Sequence, residues 1–476
     1  MHGAVLALPE ERDQPDLIPG EPARAARSRA PGARDPYVLA AALFAAYTAV
    51  AVLRYRRLET LSWDLGIFEQ AVRAYAHLRV PTADLKGPGT NILGDHFSPV
   101  TALLAPFYRV FPTPVTLLVA QSLLFALSAV PVVRASARLL GRGPGLAVGI
   151  AYGLSWGLQR AADFDFHEIC FAVPLIAFSL EAVLARRWRA ALGWALPLVL
   201  VKEDLGVTLA AIAVVVALRA RRTSPRAAKY ALGAALFGIA AVVVTLTVVI
   251  PAFNSAGSYD YWSKTDGAGP FTASGTKLRT LLWLLLPTGL LAPRSPLFLA
   301  AVPTLGWRFV SSDDHYWSTD WHYSAVLMPV FALALADAVD RSRRSPRPWL
   351  RSYARQLPAA AAAAALALST SLPVYSLTQS ATYRKSAEVV ERERILARIP
   401  DGATVEANVG PISRLTSRCR VFWVGDTRRI VPDYIALDNV SGWAGDPQEY
   451  ARALHPGTRY AMTGVAYGYV VLERQK

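Results

Sequence analysis

The sequence predicts a mainly α, polytopic transmembrane helical bundle followed by a small α/β domain. Three observations carry this. Of 476 residues, 53% are hydrophobic and only 18% are charged, too little charge to cover a soluble domain of this size. Apolar runs of about 15–22 residues recur as far as residue 375, separated by short loops, which is the pattern of membrane-spanning helices. From residue 376 the long runs stop and short β-prone segments with turn residues take over.

The formal charge is +15. Most arginines sit in short loops between apolar runs, so the excess reflects the positive-inside rule. No nucleic-acid-binding module accompanies the charge, and nucleic acid is not an expected partner. Cys170 and Cys419 fall in unrelated regions, which implies no disulfide framework.

Residues 1–35 are rich in Pro, Ala and Arg, with Arg24, Arg27, Arg29 and Arg34 before the first apolar run. This reads as a disordered basic tail, placed in the cytoplasm by its charge. It lacks the pattern of a secretory signal, so the first span, 36–53, is expected to stay as an anchor. Residues 55–113 form a first outer loop with two interfacial helices. One covers 64–79, with Leu65, Phe68, Val72, Tyr75 and Ala76 at helical spacing. The other covers 98–111, interrupted by Pro99 and Pro106.

Further spans are expected at 114–133, 145–160, 169–185, 230–250, 278–292, 296–310, 323–339 and 357–373. Residues 190–218 are basic at both ends and broken by Lys202-Glu203-Asp204. A hairpin of two short legs, each ~21 Å long at 1.5 Å per residue, keeps both ends cytoplasmic; a single long tilted helix is the alternative. With the hairpin there are 11 spans, the N-terminus inside and the C-terminus outside. That topology puts the Arg clusters on the cytoplasmic side. The loops bearing Asp64, Asp95, His96, Asp165, His167, Glu168, Glu203, Asp204, Asp260, Asp313, His315 and His322 come out together on the other.

The region 376–476 is expected to be an extracytoplasmic α/β domain. It has an amphipathic helix at 384–398 and strands at 403–408, 420–424, 434–437 and 460–471. A further helix starts at Asp446-Pro447.

Within the outer loops, Asp64 in Trp63-Asp64-Leu65-Gly66 suits a general base at a membrane edge, and equally an N-cap for the helix that follows. Asp95-His96 would bind a metal or a phosphate, or cap the helix from Pro99. Asp163-Phe164-Asp165-Phe166-His167-Glu168 packs four ionisable groups into six residues beside a span, an expensive arrangement that favours function. Lys202-Glu203-Asp204 inside an apolar segment is a functional-site hypothesis by default, with an internally paired turn as the bland reading. Trp321-His322-Tyr323 would complete a cavity wall or mark an aromatic belt.

Five stretches together carry a family resemblance: Trp63-Asp64-Leu65-Gly66-Ile67-Phe68-Glu69-Gln70, His96-Phe97-Ser98-Pro99 with Pro106-Phe107-Tyr108, Asp165-Phe166-His167-Glu168, Lys202-Glu203-Asp204, and His322-Tyr323-Ser324 with Pro329. Pro400-Asp401-Gly402-Ala403 and Asp433-Tyr434-Ile435-Ala436-Leu437-Asp438 also fit. On these the chain resembles a bacterial family of polytopic membrane proteins of unknown function, grouped with the GT-C glycosyltransferases. The resemblance implies a GT-C-like fold in the bacterial cell membrane and transfer of a sugar from a polyprenyl-phosphate donor to an acceptor at the outer face. It implies Asp64 as the base, with Lys202 and His167 toward the lipid phosphate. Asp95, His96, Asp165, Glu168, Glu203, Asp204, His322 and Tyr323 are further candidates for substrate or phosphate binding. A divalent metal would take its ligands from Asp64, His96, Asp165 and His167. The rival expectation is a transporter or lipid flippase with an outward-facing polar cavity.

Overall fold

The computed structural model describes residues 32–265, 269 and 271–475. The expected basic tail up to residue 31, with Arg24, Arg27 and Arg29, lies outside the described residues, as does Asp266 in the loop after the span at 230–250. The protein is mostly helical, with one small sheet near its C-terminus.

The first helix, α1 (Asp35–Arg56), is followed by α2 (Trp63–Ala76) and the short α3 (Ala105–Val110). The bundle continues with α4 (Pro114–Leu140), α5 (Arg142–Gly153), α6 (Trp156–Phe164), α7 (Ala172–Leu184), α8 (Trp188–Ala195) and α9 (Leu205–Ala220). It is completed by α10 (Pro225–Val244), α11 (Ile250–Phe253), α12 (Ser274–Leu285), α13 (Val302–Val310), α14 (Met328–Ser342) and α15 (Pro348–Ser369). Each expected apolar run is occupied by helix. Among the described residues, four stretches are long and apolar enough to cross a membrane unaided: Asp35–Arg56, Pro114–Leu140, Pro225–Phe253 and His322–Ser342. Others are shortened by prolines. Pro197, Pro287 and Pro303 stand at the junctions between 3-10 and α-helical turns, where the missing N–H and fixed φ break the regular ladder.

Residues 190–218 form the hairpin and not the tilted helix. The chain turns at Val201–Asp204, and α8 packs back against α9. The expected span at 145–160 is interrupted at Leu154-Ser155, where α5 gives way to α6.

The first loop differs from expectation in one respect. Residues 64–79 were to lie on the membrane surface, yet Leu65 to Val72 are all buried. The α/β unit accounts for this, because it covers the polar side of α2. That unit comprises α16 (Ala387–Leu396), β1 (Thr404–Ala407), α17 (Val409–Leu415), β2 (Arg420–Trp423), β3 (Tyr434–Asp438), α18 (Pro447–Leu454), β4 (Tyr460–Ala466) and β5 (Tyr469–Arg474). Its sheet has the order β2-β1-β3-β5-β4, parallel from β2 to β3 and antiparallel beyond. The strand expected over 460–471 is a hairpin, since Tyr467 and Gly468 both adopt positive φ, the geometry of a two-residue turn.

Ile67, Ala71, Leu85 and Ile92 of the first loop share one core with Val405, Ile412, Val421 and Val471. Gln70 Nε2 donates to Val421 O at 2.8 Å, Arg73 Nη1 to Cys419 O at 2.9 Å, and Arg420 pairs with Asp84 at 2.8 Å. The second expected interfacial helix keeps its surface. Leu103, Phe107, Val110 and Phe111 are exposed side by side, an apolar ridge suited to a bilayer boundary.

Glu69 is the buried polar link between α2 and its neighbours. Tyr108 donates to its Oε1 at 2.8 Å and Thr416 to its Oε2. Burial outweighs these bonds and pushes its pKa up to about 7. The folded state therefore keeps a proton that an unfolded chain releases near 4.5. Stability should fall as pH rises from that value to about 7, by ~3 kcal/mol at 1.36 kcal/mol per unit. Glu69→Gln should flatten this slope, read as the difference in melting temperature between pH 5 and pH 8. An unchanged slope would place the titration elsewhere.

Candidate functional site

A cavity of about 600 Å³ opens at the end of the bundle where the acidic and histidine loops meet. Asp64 lines it from the first turn of α2. The expected N-cap role falls elsewhere, because α2 begins at Trp63 and the cap position is Ser62, in left-handed backbone. Asp64 makes no hydrogen bond and no ion pair with any described residue. Burial holds its carboxyl above the usual carboxylate range, opposed by the neighbouring His167.

The loop after α6 lies beside it. Gln121, buried in the N-terminal half of α4, donates from Nε2 to Asp165 O at 2.7 Å and accepts from His167 N at 3.0 Å through Oε1. One amide thereby fixes the chain on both sides of Phe166. His167 then faces the cavity, and His322 stacks on it with ring centroids 3.7 Å apart. The Asp165 carboxylate turns away from the cavity. It faces the backbone N–H groups of Ser62 and Leu65 without closing a hydrogen bond of good geometry. Burial and the neighbouring Asp64 push its pKa well up. Glu168, fully buried, also sits behind the wall, with Oε2 2.7 Å from His167 Nδ1 and Oε1 accepting from Lys202 at 3.0 Å.

The α8–α9 tip supplies Lys202, Glu203 and Asp204, all on the cavity wall. Glu203 ties two segments to the tip: it accepts from Phe97 N at 3.2 Å and pairs with its neighbour His96 Nδ1 at 2.7 Å, and it accepts from Tyr259 OH at 3.1 Å. Burial alone would lower the His96 pKa, but Glu203 and Asp95 hold it above its usual value. Asp95 accepts from Tyr261 OH at 3.2 Å and pairs with Lys86 at 3.2 Å. Arg308, 0% exposed, pins the loop before α14 by donating to Tyr316 O, Ser318 O and Ser324 Oγ. That places His322 and Tyr323 on the wall.

All the expected site residues except Asp165 and Glu168 thus line one cavity. The expected metal ligands are not brought together as a set: His96 is engaged by Glu203, and Asp165 points away. Asp64, His167 and His322 are the residues whose donor atoms gather, within 4.8 Å of one another.

Sequence reasoning missed Lys86, Lys264, Gln121 and Arg308. The first two had a usable signal. The chain has only seven lysines among 50 basic residues, and Lys86, Lys202 and Lys264 all line the cavity.

The cavity has two characters. Val207, Val242, Leu246 and Pro303 form an apolar side next to α10, whose outer face exposes Leu232, Leu236, Phe237 and Val243. Trp63, Trp262, Trp307, Trp321 and Tyr316 add flat aromatic surface around the charged end.

The family of predicted membrane proteins DUF2079 matches residues 54–459. The chain belongs to the DUF2079 family. No curated protein matches it. Among solved structures it is similar to ArnT from Cupriavidus metallidurans bound to undecaprenyl phosphate, at 14% identity and a TM-score of 0.55 over 92% of this chain and 98% of that one. The apo state of the same protein matches at 12% identity and a TM-score of 0.49 over 86% and 93%. The match to the undecaprenyl-phosphate-bound structure shows that this DUF2079 protein shares the fold of ArnT.

Proposed function

We propose that the protein is an integral membrane glycosyltransferase of GT-C type, moving a sugar from a polyprenyl-phosphate donor to an acceptor hydroxyl at the outer face of the cell membrane. In this reading the N-terminus is cytoplasmic and the α/β unit extracytoplasmic. The observation that supports it is the two-sided cavity. An isoprenoid chain fits the apolar side along α10, and a phosphosugar fits the charged, aromatic end. The undecaprenyl phosphate bound to the structurally similar ArnT supports the same donor class.

Asp64 accepts the acceptor hydroxyl's proton. The freed oxygen lone pair attacks the anomeric carbon, and the bond from that carbon to the phosphate oxygen breaks. Lys202, with His96 and Lys86 nearby, offsets the negative charge gained by the departing phosphate. A transporter would need polar groups through the bundle. Here Leu209, Ile212, Ala177 and Leu333 fill the interior beyond the cavity at 0% exposure.

The test uses purified protein with a panel of undecaprenyl-phosphate-linked hexoses and pentoses and membrane extract as acceptor, followed by release of undecaprenyl phosphate. Asp64→Asn should slow turnover of the accepted donor at least ~100-fold while melting like the wild type. If no donor is consumed faster than by Asp64→Asn, the reading is wrong.

A further inference from the structure

The structure assigns a divalent transition-metal site to Asp64, His167 and His322, of the kind that takes zinc or manganese. The donor atoms of these three side chains lie within 4.8 Å of one another. An ion bound ~2.1 Å from each donor places them ~3.4 Å apart, so side-chain adjustments of ~1 Å close the site. The histidines bring two imidazoles and Asp64 one carboxylate oxygen, a donor set suited to zinc and its neighbours.

Two independent features point to a ligand there. His322 is 2% exposed, yet neither ring nitrogen has a hydrogen-bond partner, and a buried polar ring left bare on both sides is costly. His167 has a carboxylate beside one ring nitrogen. Glu168 Oε2 stands 2.7 Å from its Nδ1 without closing a hydrogen bond of good geometry; a small turn of the ring would make that bond and leave Nε2 for an ion, the carboxylate–histidine–metal arrangement. Lys202 donates to the other Glu168 oxygen at 3.0 Å and locks that carboxylate in place.

Charge agrees with a cation. The nearby Lys202–Glu168, His96–Glu203 and Lys86–Asp95 pairs each balance internally. Asp64 has no ion-pair partner among the described residues, so a dication beside it is attracted. Its remaining coordination positions face the cavity, where a phosphate or a hydroxyl oxygen would reach them. That use rests on the proposed glycosyl transfer; the binding site itself does not.

The test is direct binding. Full-length protein carrying a non-histidine affinity tag is stripped with a chelator, desalted and titrated with Zn²⁺ and separately with Mn²⁺, and the bound metal is measured by elemental mass spectrometry. One equivalent of one of these ions should bind. His167→Ala and His322→Ala should each weaken it at least 10-fold, and Glu168→Gln should weaken it by ~10–100-fold. His315→Ala should change nothing, although His315 belongs to an exposed group with Asp313 and Asp314. His322→Gln replaces an alanine variant that fails to fold. Absence of bound metal, binding unchanged by loss of either histidine, or binding lost with His315 would overturn the site. Metal binding without any sugar transfer would sink the proposed function alone. Transfer that proceeds in protein holding no metal would remove the ion from the reaction, while the binding measurement alone decides the site.

Discussion

Replacing Lys202 with Met should cost about 3–5 kcal/mol of stability, even before any substrate is considered. Its ammonium sits 3.0 Å from Glu168 Oε1, and Glu168 has no solvent exposure. Removing the cation leaves a buried carboxylate with only His167 beside it. The loss of an ion-pair partner is then dominated by that uncompensated charge, not by the missing attraction. The double variant Lys202→Met with Glu168→Gln removes both charges and should recover most of the melting temperature. Under the proposed function it should not recover transfer, because the cation assigned to the phosphate is gone. Thermal unfolding of metal-free protein in detergent separates the two roles. If the single variant melts like the wild type, Glu168 does not depend on Lys202 for its charge, and the structural half of this account fails.

That pair also shows where the sequence was legible. Lys202-Glu203-Asp204 stood out because three charges interrupt an apolar run, and the hairpin followed from Arg at both ends. The class of fold followed from the same kind of local contrast, apolar run against charged loop. What stayed hidden was division of labour among neighbours. Asp165 and Glu168 are within three residues of His167, yet only His167 reaches the cavity. Which side chain points inward depends on Gln121, a single amide on a helix more than forty residues away in sequence, and nothing local marks it. The burial of α2 was hidden for the same reason. Its polar residues Glu69, Gln70 and Arg73 look like a solvent face until Thr416, Val421 and Cys419 are seen to cover them. The sequence leaves His322 open between a cavity wall and an aromatic belt; it lines the cavity beside Asp64, a neighbour 258 residues away, the difference of the two positions.

Gly206→Leu should separate α9 from α10 and open the cavity's apolar side. A Cβ on Gly206 would fall inside van der Waals contact of the Gly238 carbonyl oxygen, and a Cβ on Gly238 would meet the Gly206 carbonyl in the same way. Two backbones that touch cannot yield as a flexible side chain can. Even Ala at either position forces the helices apart, at a cost of about 1–3 kcal/mol, and Leu should exceed that range. The position amplifies the effect. Gly206 lies two residues after Asp204, and Gly238 lies one turn before Val242. Asp204 and Val242 line the charged and apolar parts of the same cavity. A shift of the pair therefore moves Lys202 away from Glu168 while it widens the groove beside α10. Gly193→Ala is the matched control. Gly193 is also helical, and nothing lies within 4 Å of the Cβ it would gain, so helix propensity alone should make Ala neutral or stabilising by ~0.5–1 kcal/mol. The contrast is read in melting temperature and in protection of Lys202 and α10 from hydrogen exchange. Equal behaviour of Gly206→Ala and Gly193→Ala would mean that the α9–α10 contact has slack, and that close backbone packing does not set the shape of the cavity.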